Sequence, residues 1–180
     1  MRMPSLYQFF RHQVSRGFHA HGIAEPATVD YVSDVLTRFA HTRHLYALLD
    51  EEGRPLEYIV DMLIAMERAY SGEGGGRPDR ARGRTINRHI GEYALFMSGL
   101  FRERLTARGE LDYYLASGSG AYGRAADDEI NPARRRVYQR LHDDFGRISD
   151  SLDHMRRVQF PMKDSSSDGG GDILRAFWRT

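Results

Sequence analysis

A chain of 180 residues with 41% hydrophobic side chains is long enough to bury one core without a disulfide or a metal, and too apolar to be disordered. The absence of cysteine excludes disulfide frameworks and thiolate metal sites and fits a reducing compartment. A net charge of +1 gives the whole molecule no pull toward nucleic acid or membrane, even though its cations are all arginine apart from Lys163.

Prolines mark the helix starts, because proline is tolerated at the first helical position. Pro4, Pro26, Pro55, Pro78 and Pro132 each head a helix-like pattern, and Pro161 sits in a tail of loop character. The first predicted helix runs from Pro4 to about Arg16, with Leu6, Phe9, Phe10 and Val14 on one side. The second runs from Pro26 to His41 on Val29, Val32, Leu36 and Phe39. His44 to Leu49 reads as a short extra turn, and Glu51 to Pro55 as a turn. Leu56 to Tyr70 follows, with Leu56, Ile59, Val60, Leu63 and Met66 as its expected buried stripe, then a glycine-rich loop from Ser71 to Pro78.

The helix after Pro78 is polar for two turns and strongly apolar from Ile90 to Phe101; Leu111 to Asp127 is the next. Pro132 to Val158 reads as one long helix, capped by Asn131, with Val137, Leu141, Phe145, Ile148, Leu152 and Met155 at heptad-like spacing. Over so few heptads such a seam suits a bundle core. Residues 161–171 read as a linker, and 172–180 as a short helix packing back on the bundle. No strand alternation and no repeat compete. The expectation is an all-α fold: a single-domain irregular helical bundle of six to seven helices over residues 1–160, with Ile90–Phe101 and Leu111–Asp127 at its centre.

Five glycines, Gly91, Gly99, Gly118, Gly120 and Gly123, fall in these central helices, each at a propensity cost of up to about 1 kcal/mol. Close helix approach would offset it. Gly91 and Ser98 share one side of the first helix. Ser117, Gly120 and Arg124 share one side of the second, with Gly118 turned away, so Gly91 and Gly120 are expected to be buried.

The segments H-I-G-E-Y-A-L-F-M-S-G-L-F-R-E-R-L, D-Y-Y-L-A-S-G-S-G-A-Y and the terminal D-I-L-R-A-F-W-R-T resemble a family of uncharacterised bacterial helical proteins, from about Pro26 to the end. That resemblance implies a helical fold and no activity. The family is expected to carry proline after the phenylalanine, where this chain has Arg102.

For chemistry, His89 and Glu92 share a helix face at the spacing used in helical di-metal sites. Glu67, Asp112, Asp127 and Asp128 are the only further carboxylates in reach, and none forms a second Glu-x-x-His pair, so no metal is expected. His12, His19, His21, His41 and His44 match no zinc spacing and read as surface histidines. His142, Asp143 and Asp144 fan around a helix and cannot converge. The arginines at 77, 80, 82, 84 and 88, and Arg134 to Arg136, suit phosphate but lie near Asp127, Asp128 and Glu129, so helix-surface pairing is favoured over nucleic acid. No nucleophile elbow or Walker motif occurs. Tyr93, Tyr113, Tyr114 and Tyr122, with Phe96 and Phe101, would form either core or a pocket for a flat ligand.

The function expected is that of a non-enzymatic cytoplasmic binding or interaction protein, with no catalytic residue, no cofactor and no membrane span, and with a protein as its partner. The alternative is a metal- or small-ligand-binding enzyme or sensor with a site near His89, Glu92, Tyr93 and Tyr114. Convergence of those four side chains on a cavity would favour the alternative.

Overall fold

The computed structural model describes residues 5–41, 48–50, 53–72 and 77–159. The expected start at Pro4, most of the turn at 44–49, the 161–171 linker and the 172–180 helix lie outside the described residues.

Each helix starts where a cap dictates. Leu6–Ala20 (α1) follows a capping box, in which Gln8 N–H donates to Ser5 Oγ (3.2 Å) and Ser5 N–H donates to Gln8 Oε1 (2.9 Å). Pro26–Phe39 (α2) opens on proline at its first position. Ile59–Ser71 (α3) begins three residues later than its apolar pattern suggests. Leu56 N–H is committed to Leu48 O (2.9 Å), beside an isolated antiparallel bridge between Leu49 and Pro55. It ends on Gly72 at φ 69°, a left-handed conformation that favours glycine. Arg80–Leu100 (α4) is capped by Asp79, whose carboxylate accepts from Arg82 N–H.

Phe101 (φ −120°, ψ 27°) then ends the helix, and Arg102–Ala107 (α5) forms a short one of its own. Arg102 is its first residue, a position that proline would also suit. Leu111–Asp128 (α6), Pro132–Asp143 (α7, capped by Asn131) and Phe145–Gln159 (α8) complete an all-α bundle. The described residues hold eight helices, more than the six or seven expected, because α5 stands alone and the long helix at 132–158 is two.

The division falls at Asp144 (φ −110°, ψ 18°). Its N–H still donates to Arg140 O (3.0 Å) and its carbonyl accepts from Ile148 N–H (2.9 Å). Its carboxylate lies 2.8 Å from Arg140 Nε and 2.9 Å from Arg147 Nη1. The apolar spacing carries through the break, and all six residues of the predicted seam are buried.

Helix α4 is the axis of the bundle. Its substantial neighbours are α2, α3, α5, α6 and α8, and it is buried almost throughout from Ile86 to Leu100. Two sequence expectations change. On α3 the buried face is Ile59, Met62 and Ala69; Leu63 and Met66 are half-buried and Val60 is exposed. On α6 the inward face is Gly118, Ala121, Tyr122 and Ala125, a quarter turn from the stripe expected. Gly118 is the buried glycine. A Cβ there would lie 2.7 Å from Phe145 Cε2 and 2.8 Å from Ala94 Cβ. Gly120 is half-buried, and its side faces only the Arg124 guanidinium. Gly91 is buried as expected, with Tyr122's ring 3.0 Å from where its Cβ would be.

Candidate functional site

The most connected polar group in the core is Glu92 on α4, 2% exposed. From α2, Arg38 grips it with both terminal nitrogens, Nη1 to Oε2 at 3.0 Å and Nη2 to Oε1 at 2.9 Å. Tyr31 Oη donates to Oε1 at 2.8 Å, and Arg88 Nε lies 3.8 Å away, one turn earlier on α4. Tyr31 and Arg38 are seven residues apart, so two helical turns put both on the margin of α2's apolar stripe. Arg38 also donates to Asp34 (2.8 Å). Burial by itself would lower the Arg38 pKa; the hydrogen bonds and charges of Glu92 and Asp34 outweigh it and hold the guanidinium above its usual range.

Three tyrosines from three helices close over this pair. Rings of Tyr31 (α2), Tyr122 (α6) and Tyr138 (α7) meet pairwise at centroid distances of 5.6–6.1 Å. Burial pushes the Tyr31 and Tyr122 phenols well above their ordinary pKa, and the Glu92 charge adds to it. Tyr122 fits because Gly91 has no side chain beneath its ring. Its hydroxyl is buried and reaches no partner in hydrogen-bonding geometry, although Tyr31 is near enough to influence its ionisation. The two hydroxyls therefore predict opposite outcomes. Tyr31→Phe is expected to cost about 1.5–3 kcal/mol, a lost bond to a charged acceptor, whereas Tyr122→Phe should be neutral or stabilise by up to about 1 kcal/mol. Denaturant midpoints would decide; a Tyr122→Phe protein as weakened as Tyr31→Phe would show that the Tyr122 hydroxyl is bonded after all.

The other residues named from sequence go elsewhere. His89 is 7% exposed and lies in an aromatic row, 5.4 Å from Phe39 and stacked on Tyr93 at 6.3 Å. Tyr93 Oη donates to Glu57 O (3.1 Å), and Tyr114 continues the row 6.3 Å on, its phenol pushed up by burial. Glu92 thus engages Tyr31 and Arg38, while His89, Tyr93 and, from α6, Tyr114 form an aromatic row. Ser98 is fully buried and accepts from Ser149 Oγ (2.9 Å), joining α4 to α8 beside Gly99 and Leu152. Glu67, Asp112, Asp127 and Asp128 are all exposed, and no three metal-ligating side chains come together among the described residues.

His142 does meet a serine, Ser119, at 3.1 Å, but the pair is no nucleophilic dyad. Its Nδ1 also lies 2.8 Å from the Ser119 carbonyl oxygen, which requires an N–H there and leaves no lone pair to take the hydroxyl proton. Arg82 donates to Leu49 O and Arg88 faces Glu92, so the basic run from Arg77 to Arg88 is divided among different partners.

One open groove of about 760 Å³ runs along α3, walled by the segment before it and by the start of α4. Leu56, Tyr58, Asp61, Ile64, Arg68 and Arg82 line it. Beside it the apolar side chains stand in solvent: Tyr58 is 63% exposed, Val60 51% and Ile64 44%. Val60, expected from its spacing in the buried stripe, is turned to solvent here. The available signal was that α3 is apolar on almost every side.

No known family, curated protein or solved structure matches the chain. No helix among the described residues is long and apolar enough to cross a membrane.

Proposed function

We propose that this chain works by protein–protein contact without catalysis, through the uncovered side of α3. The carrying observation is a mismatch between sequence and packing. A helix that is apolar all round belongs in an interior, yet among the described helices α3 has α4 as its one substantial neighbour. Its outer side leaves Val60 and Ile64 exposed on consecutive turns next to Tyr58. Clustered apolar exposure of this kind marks contact surfaces.

Two charges of opposite sign flank the apolar centre of this face. On α3 itself the exposed carboxylate of Asp61 precedes Ile64 and the exposed guanidinium of Arg68 follows it, while the groove walls beside them carry charges of both signs, Asp50, Arg54, Arg77, Asp79 and Arg82. Asp61 and Arg68 have no ion-pair partner among the described residues, and two helical turns, about 10 Å, separate them. The occupant that fits is a helical protein segment running antiparallel to α3, with an acidic residue, an apolar centre and a basic residue in chain order at the same spacing. The tie of Glu92 to Arg38 and Tyr31 holds the frame behind α4, and the resemblance noted for α4–α6 adds no activity to this reading.

A displayed library of random helical peptides, selected on the purified chain, tests it. Enriched peptides should carry, from N to C, the acid–apolar–base pattern and lose binding at least tenfold on Ile64→Glu. Peptides without that pattern, or binding untouched by Ile64→Glu, would overturn the proposal.

A further inference from the structure

We infer that the segment docking on α3 is α3 of a second copy of this chain, placed antiparallel across a two-fold axis at Ile64. This rests on the contact reading above and names its partner. A two-fold interface needs a patch that is complementary to itself, so that residue i meets j and j meets i. The face of α3 has that property. Asp61 lies three residues before Ile64 and Arg68 four residues after it, so an antiparallel copy brings each Asp61 beside the partner's Arg68, twice over. Both side chains are exposed, and neither has an ion-pair partner among the described residues, so both are available.

The remaining positions agree except at Glu67, an exposed carboxylate three residues after Ile64 that falls level with the partner's Asp61 on the opposite edge of the face. Ile64 meets its own copy at the axis. Val60, 51% exposed, comes under the aliphatic stem of the opposing Arg68. Glu57 falls opposite Ser71, which carries no charge. Antiparallel axes also set the two helix dipoles head to tail. The reverse, parallel arrangement would stack Asp61 on Asp61 and Arg68 on Arg68, so the same charges that favour one orientation exclude the other.

Sedimentation equilibrium on the full chain, from low to high micromolar concentration, is the test, with circular dichroism to confirm that each variant keeps its helicity. The wild type should be a monomer–dimer equilibrium. Asp61→Arg and Arg68→Glu should each weaken it at least tenfold, and the double variant should regain most of the loss, because the pair is restored with its signs exchanged. Ile64→Glu should be monomeric throughout. A wild type that stays monomeric, a dimer that survives Ile64→Glu, or charge reversals without mutual rescue would overturn the inference. A monomeric wild type that still selects Ile64-dependent peptides would leave the contact reading standing and remove only the second copy as its occupant; loss of both would remove both.

Discussion

Replacing Glu92 with alanine is expected to destabilise the protein by about 3–5 kcal/mol, the cost of removing one partner from a buried ion pair. The loss has two parts. Arg38 would keep a guanidinium whose two terminal nitrogens point into the core with nothing to accept them, and Tyr31 would lose its acceptor. Part of the penalty is relieved by solvent, since the Arg38 side chain is 32% exposed and Asp34 holds its Nε. Glu92→Gln should cost less, because one amide oxygen still accepts while the charge is gone. Arg38→Met in the Glu92→Gln background should cost less than the sum of the two single changes, since neither then leaves a lone buried charge. Urea unfolding with fluorescence detection would measure all four proteins. A Glu92→Ala midpoint within experimental error of wild type would mean that the network is dispensable and that its geometry has been misread.

Gly118→Ala is expected to cost about 3 kcal/mol, toward the upper end of the range for overpacking a core. Alanine is the better helix former by about 1 kcal/mol, so propensity predicts the opposite sign and makes the test clean. The new methyl group would overlap the Phe145 ring and the Ala94 Cβ, which are 2% and 0% exposed and have no flexible end to move. Gly120, two residues on in the same helix, is the control. An added Cβ there meets only the tip of Arg124 at 3.3 Å, so Gly120→Ala should be stabilising by about 0.4–1 kcal/mol. Phe145→Leu should restore part of the loss in Gly118→Ala while being harmful alone. If Gly118→Ala and Gly120→Ala fall within half of about 1 kcal/mol of each other, the α6 face has been assigned wrongly.

That pair of glycines shows how far the sequence could be read. Helix content, the central role of Ile90–Phe101 and the buried seam through Phe145 follow from periodicity, which depends on local spacing alone. The rotation of α6 does not, because glycine and serine give no apolar signal and Gly118 and Gly120 are equally silent about which of them faces in. The same limit hid the Glu92 site. Glu92 could be singled out, but its partners Tyr31 and Arg38 lie 61 and 54 residues away and are found only once α2 is laid against α4. His89 was paired with Glu92 because both lie on α4, whereas packing against Phe39 and Tyr93 drew its ring into the aromatic row. The exposed face of α3 was misread for a different reason. An apolar helix signals burial, and periodicity cannot tell whether the burial is by this chain or by another.

The single residue at Asp144 gives the C-terminal third of the chain a fixed phase. Because its N–H closes α7 and its carbonyl opens α8, the two helices share one continuous count of residues. One residue inserted there would turn α8 by about 100° against α7, carrying Ile148, Leu152 and Met155 off the core and Asp150 and His154 toward it. The turns at Gly22, Gly53 and Gly109 impose no such count. Across evolutionary time, length variation is therefore expected to collect in those turns and to be absent between Pro132 and Val158.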